Sequence, residues 1–154
     1  MNIMIDNSLN LLKGEFRIKS KVLLEVCNKL KLRITPYETK RSLIRQKWLV
    51  AQGKSWTLKS KHIEWLAVDR VFSNTKWQPS WVGKYPSVHF IGFMCGVTPI
   101  YRNKKLIESC HLQDDGKSIV AVMKNNSARY QKETAKNQAL LTEVNTAFRR
   151  YWYK

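Results

Sequence analysis

Uneven positive charge is the feature that most constrains what this chain can fold into. Between Lys13 and Lys61 stand fourteen Lys/Arg against three acids, Glu15, Glu25 and Glu38, a surplus of eleven in 49 residues. Residues 62–154 hold fourteen against seven, and the 154-residue chain carries a formal net charge of +17. Like charges repel and fold nothing by themselves. The basic stretch therefore needs apolar faces that turn its cations outward.

Helical spacing supplies such faces. From Ile18 to Leu32, Val22, Val26 and Leu30 recur at i, i+4 and i+8, widened by Leu23 and Cys27, while Lys19, Lys21, Lys29 and Lys31 fall largely outside the stripe. Thr35-Pro36-Tyr37-Glu38 has the form of a capping box with proline at the first helical position. It predicts a helix to about Gln52, ended by Gly53. A third helix is expected from about Lys59 to Phe72, through Ile63, Leu66, Ala67 and Val71.

The texture then changes. An aromatic, proline-bearing loop over residues 76–86 leads to β-prone segments: Val88–Met94, Val97–Arg102, Lys105–Leu112, and Ser118–Lys124. Asn103-Lys104 reads as a tight turn and Asp115-Gly116 as a hairpin signal. The stretch Tyr101–His111 is ambiguous between strand and helix. One long helix closes the chain, from about Ser127 to Trp152. The expected class is α+β: a basic N-terminal three-helix part, a small antiparallel meander and a long C-terminal helix. The length fits one compact domain over residues 1–154, with a subdivision at 1–75 and 87–154. No stretch has the length and apolarity of a membrane span. Nor does the N-terminus resemble a signal peptide. Three widely spaced cysteines, Cys27, Cys95 and Cys110, read as reduced thiols of a cytoplasmic protein.

A polyanion is the partner that such a charge surplus suggests, and phosphate backbone is the commonest. The sequence thus points to non-catalytic binding of nucleic acid, DNA or RNA, by a regulatory or accessory subunit of a phage or plasmid nucleoprotein complex. The phosphate contacts expected are Lys40, Arg41, Arg45, Lys47, Lys54, Lys59, Lys61, Arg149 and Arg150, with Trp77, Trp81 and Tyr85 as candidates for base stacking. A helix-turn-helix reading is weak, because Gly53 to Leu58 is longer than the usual turn. No catalytic residue, cofactor or metal is assigned. Gly53-Lys54-Ser55 and Gly116-Lys117-Ser118 lack the upstream glycine of a phosphate loop. His62, His89 and His111 are scattered and read as structural or surface groups.

Two other readings stand beside the first. One is a small metal-dependent nuclease, using carboxylates among Glu64, Asp69, Glu108, Asp114 and Asp115. The other is a basic interaction protein that binds an acidic protein or an anionic membrane surface. Cys95, Cys110 and His111 would have to converge in three dimensions to hold a metal, since no C-x-x-C spacing exists.

Overall fold

The computed structural model describes residues 4–73 and 79–153. The α+β class holds: among these residues are five α-helices and antiparallel sheets. After a short 3-10 turn, Leu9–Leu11, the order is α1 (Gly14–Lys29), β1 (Ile34–Glu38), α2 (Leu43–Ala51), β2 (Ala67–Ser73), β3 (Pro79–Ser80) and α3 (Tyr85–Cys95). Then come β4 (Val97–Thr98), β5 (Tyr101–Arg102), β6 (Lys105–Leu106), β7 (His111–Asp114), α4 (Ile119–Tyr130) and α5 (Ala135–Trp152). The main sheet has the order β1-β2-β7-β4, with β3 paired to the far end of β2. β5 and β6 form a separate exposed hairpin.

α1 is the central helix and packs on α3 and α5. Its predicted stripe is buried through Val22, Leu23, Val26 and Cys27, joined by Phe16. Leu30 lies past the helix end and is exposed. Lys19 departs from expectation, being fully buried. Its Nζ donates to Asp114 Oδ1 at 2.6 Å, Asp115 Oδ1 at 2.8 Å and the Lys117 carbonyl at 2.5 Å. The Asp-Asp-Gly turn thus binds α1 instead of closing a hairpin. Gly96, with φ +74°, caps α3 beside it; a Cβ there would meet Lys19 Cε at 3.0 Å and Val122 Cγ2 at 2.7 Å. One core cluster joins residues from Leu9 to Phe148 across both halves of the sequence.

Several predicted elements are replaced, each for a physical reason. The capping-box segment is strand β1, where proline is tolerated because the strand is an edge and its register shifts between Pro36 and Glu38. The helix starts later, with the Ser42 hydroxyl accepting from Arg45 N at 3.1 Å. The third helix is absent: residues 61–65 form turns and β2 follows. β2 is central and buried on both faces, so it shows no period-two alternation. Val88–Met94 lies in helix α3, whose outer face carries the exposed rings of Phe90 and Phe93, so the sequence shows no polar stripe there. The returning strand at Ser118 is helix α4, capped by Ser118. The single C-terminal helix is two, because Thr134 caps a new start. The Asn103-Lys104 turn forms as predicted, both residues having positive φ, between β5 and β6.

Candidate metal centre

Strand register places a row of polar side chains across one face of the sheet. Glu38 of β1 is opposite Asp69 of β2, and Asp69 is opposite His111 of β7. Side chains alternate between faces along a strand. Arg70, next to Asp69, accordingly points the other way and donates to the Ser20 carbonyl of α1 at 2.7 Å. His62 reaches the same row from the turn before β2. That turn closes with Trp65 at φ +62°, which lets the chain reverse into the strand.

Three donor atoms converge there. His62 Nε2 lies 3.1 Å from Asp69 Oδ1 and 3.2 Å from His111 Nδ1, and His111 Nδ1 lies 3.2 Å from Asp69 Oδ1. The remaining ring nitrogens are engaged elsewhere. His62 Nδ1 faces the Thr39 carbonyl at 2.7 Å, and His111 Nε2 faces Gln113 Oε1 at 3.3 Å. Those acceptors require N–H on the outer nitrogens, so each neutral ring turns its lone pair toward Asp69. Two lone pairs and a carboxylate oxygen so close repel one another unless a cation, a metal ion or added protons, stands among them.

The set fits a divalent first-row metal. Two histidines and one carboxylate are a common zinc donor set, and the same set also serves iron. Bonds of about 2.1 Å separate neighbouring donors by about 3.4 Å in a tetrahedron and about 3.0 Å on an octahedral face. The observed spacing lies between, so it suits such an ion without choosing one. Among the described residues this is the group whose donor atoms gather for a metal.

Ion pairs support the centre. Arg41 donates through Nη2 to Glu38 Oε2 at 2.6 Å and to Asp69 Oδ2 at 3.3 Å, and through Nη1 to Gln46 at 2.8 Å. Arg45 Nε donates to Glu38 Oε1 at 2.5 Å. Burial pushes the Glu38 carboxyl up, but the bonds from Arg41 and Arg45 outweigh it and hold the group below its ordinary range. Burial likewise drives the Asp69 carboxyl up, and His111 and His62, when they carry protons on the inner nitrogens, drive it further down. A metal cation takes over that part when the inner nitrogens are lone pairs. The anionic donor is therefore ready without a proton.

The centre opens into a cleft of about 610 Å³, the size of a small-molecule or peptide site. Glu108, three residues before His111, lines it, as do Tyr37, Trp48, Trp56 and Trp81. Glu108 is exposed and makes no ion pair among the described residues.

The residues expected at phosphate are dispersed. Arg41 and Arg45 are largely buried in the Glu38 network. Lys40 is half-buried over the Trp65 ring. Lys61 pairs with Glu64 at 2.6 Å and Arg150 with Glu25 at 2.6 Å. Lys47 and Arg149 are exposed on α2 and α5, while Lys54 and Lys59 line the cleft. Of the stacking candidates, Trp77 lies outside the described residues. Trp81 meets Tyr37 edge to face at the cleft, and Tyr85 is in the core. Asp114 and Asp115 serve Lys19. Cys95 is buried beside α1, while His111 joins His62 and Asp69 instead. His89 bonds the Ser109 carbonyl. Sequence reading set His62 and His111 aside because no short ligand spacing joins them. The available signal was two local pairs, His62 with Asp69 and Glu108 with His111.

No family model and no curated protein matches the sequence. Solved structures do match the fold. The L-Ala D-Glu endopeptidase ChiX of Serratia marcescens is 21% identical over 73% of this chain and 91% of its own, with a TM-score of 0.58. The LD-carboxypeptidase LdcB, whose structure addresses peptidoglycan recognition, is 18% identical over 75% of this chain and 64% of its own, with a TM-score of 0.53. At such identities the likeness is one of fold. With the converging donor set, it overturns the expectation of a non-catalytic DNA- or RNA-binding regulator. The expected nucleic-acid partner falls with it.

Proposed function

We propose that this chain is a metal-dependent peptidase acting on peptides of bacterial peptidoglycan. The observation that carries the reading is the triangle of His62, Asp69 and His111, two of whose members, Asp69 and His111, line an open cleft. The fold likeness to two peptidases supports hydrolysis as the reaction class, and hydrolysis favours zinc over iron in this donor set.

Zinc, when bound, supplies a Lewis acid that polarises a peptide carbonyl and acidifies water. The protein residues do the rest. Thr39 and Gln113 fix the two histidine rings in the ligating tautomer. Arg41 steadies Asp69 through its second oxygen. Glu108, a free carboxylate on the cleft wall, takes a proton from the water that attacks the scissile carbonyl. It then returns that proton to the departing amine. One peptide bond and one water become one carboxylic acid and one amine.

The test is digestion of purified muropeptides, read by mass spectrometry. The reading expects a metal-dependent gain of one water with release of a smaller peptide, lost in Glu108→Gln and His111→Ala. Unchanged muropeptides with metal-loaded protein would refute it.

A further inference from the structure

Charge pairing around the cleft leaves a particular imbalance. Of the cations lining it, Arg41 and Arg45 are held by Glu38, and Lys61 by Glu64. Lys54 and Lys59 have no carboxylate partner among the described residues. Arg102 of the β5–β6 hairpin, beside the cleft's Trp56, has none either among the described residues. On the acidic side, Glu38 and Asp69 are engaged and Glu108 alone is free.

Two of the free cations are propped on cleft aromatics. Lys54 Nζ lies 5.3 Å from the Trp48 ring centroid, and the Arg102 guanidinium carbon lies 5.7 Å from that of Trp56. Both rings line the cleft. Trp56 is 67% exposed, so the chain leaves a large apolar ring in water under a cation that no internal acid neutralises. A cation–π contact pre-orients the charged head but leaves its N–H donors free for an incoming anion. A positively charged cleft of this kind also draws anions toward it.

From these contacts we infer that the cleft selects an acidic peptide, with Lys54 and Arg102 binding a free side-chain or terminal carboxylate of the substrate. The inference rests on the peptidase reading and names its substrate class: a glutamate-bearing peptide, discriminated from the same peptide carrying a carboxamide. Lys54 and Arg102 are specificity residues, and neither touches the scissile bond.

The experiment compares an L-Ala–D-Glu peptide with its D-Gln counterpart. Binding to the full chain is followed by tryptophan emission, and hydrolysis is followed on the same pair. Wild type is expected to bind the acid form about fivefold to tenfold tighter, the scale of two partly solvated charge pairs. That preference should shrink to about twofold to threefold in either Lys54→Gln or Arg102→Gln, vanish in the double variant, and persist in the charge control Lys47→Gln. Raised salt should weaken it. Equal binding of the two peptides, or a preference unchanged in both variants, overturns the inference. An acid preference in binding with neither peptide cleaved leaves the subsite standing and counts against the peptidase reading alone.

Discussion

Replacing Asp69 by asparagine separates metal binding from folding. Asp69 Oδ1 faces two ring nitrogens at 3.1 and 3.2 Å. Asparagine has the same shape, and its amide can donate to those nitrogens while its oxygen still accepts from Arg41. Arg41 also keeps Glu38 at 2.6 Å. Metal-free Asp69→Asn should therefore unfold within about 1 kcal/mol of wild type, because the lost charge is offset by relief of the crowded acceptors. Zinc binding behaves differently. A ligand at a thousand times its dissociation constant stabilises a fold by about 4 kcal/mol. For a chain of this length that raises the midpoint by about 8–16 °C. Asparagine removes the one anion from the three donors, so the zinc-induced rise should fall below about 2 °C, half a kcal/mol or so. Thermal unfolding by circular dichroism, with zinc and with excess chelator, reads both effects. An equal rise in wild type and variant would put the zinc elsewhere. No rise in wild type would refute the centre itself.

Other outcomes follow from the packing. Lys19→Met leaves Asp114 and Asp115 without their buried cation and should cost about 3–5 kcal/mol in urea unfolding; a change under about 1 kcal/mol would contradict the network. Burial pushes the Cys27 thiol up to about 12 and Cys95 well above its ordinary range. Thiolate is the reacting form, and at pH 8 a thiol titrating near 12 is about one part in ten thousand thiolate. Iodoacetamide should therefore spare both in the native protein and label them in urea; fast native labelling would contradict their burial.

How much of this was legible in the sequence varies by element. The α+β class, the stripe of α1 and the Asn103-Lys104 turn rest on local periodicity and turn chemistry, and they survive. β2 reads as helix because burial on both faces erases its alternation, and α3 reads as strand because its exposed face is apolar too, through Phe90 and Phe93. The charge count misled for a related reason. It registers Arg41 and Arg45 as free cations, whereas their charges are balanced internally by Glu38 and Asp69. Lys19 was misplaced in the same way, since its partners lie 95 and 96 residues away. The donor triangle depends on the β2–β7 register, and pairing of distant strands leaves little trace in a single sequence.

Titration of zinc into chelator-stripped protein, with release of new amine from a peptidoglycan peptide followed at each step, tests the central claim most directly. The account predicts activity that rises from zero and breaks at one zinc per chain, with no activity at any zinc level in Asp69→Asn. Full activity in the stripped protein, or one tightly bound zinc per chain with the peptide left intact, would contradict it.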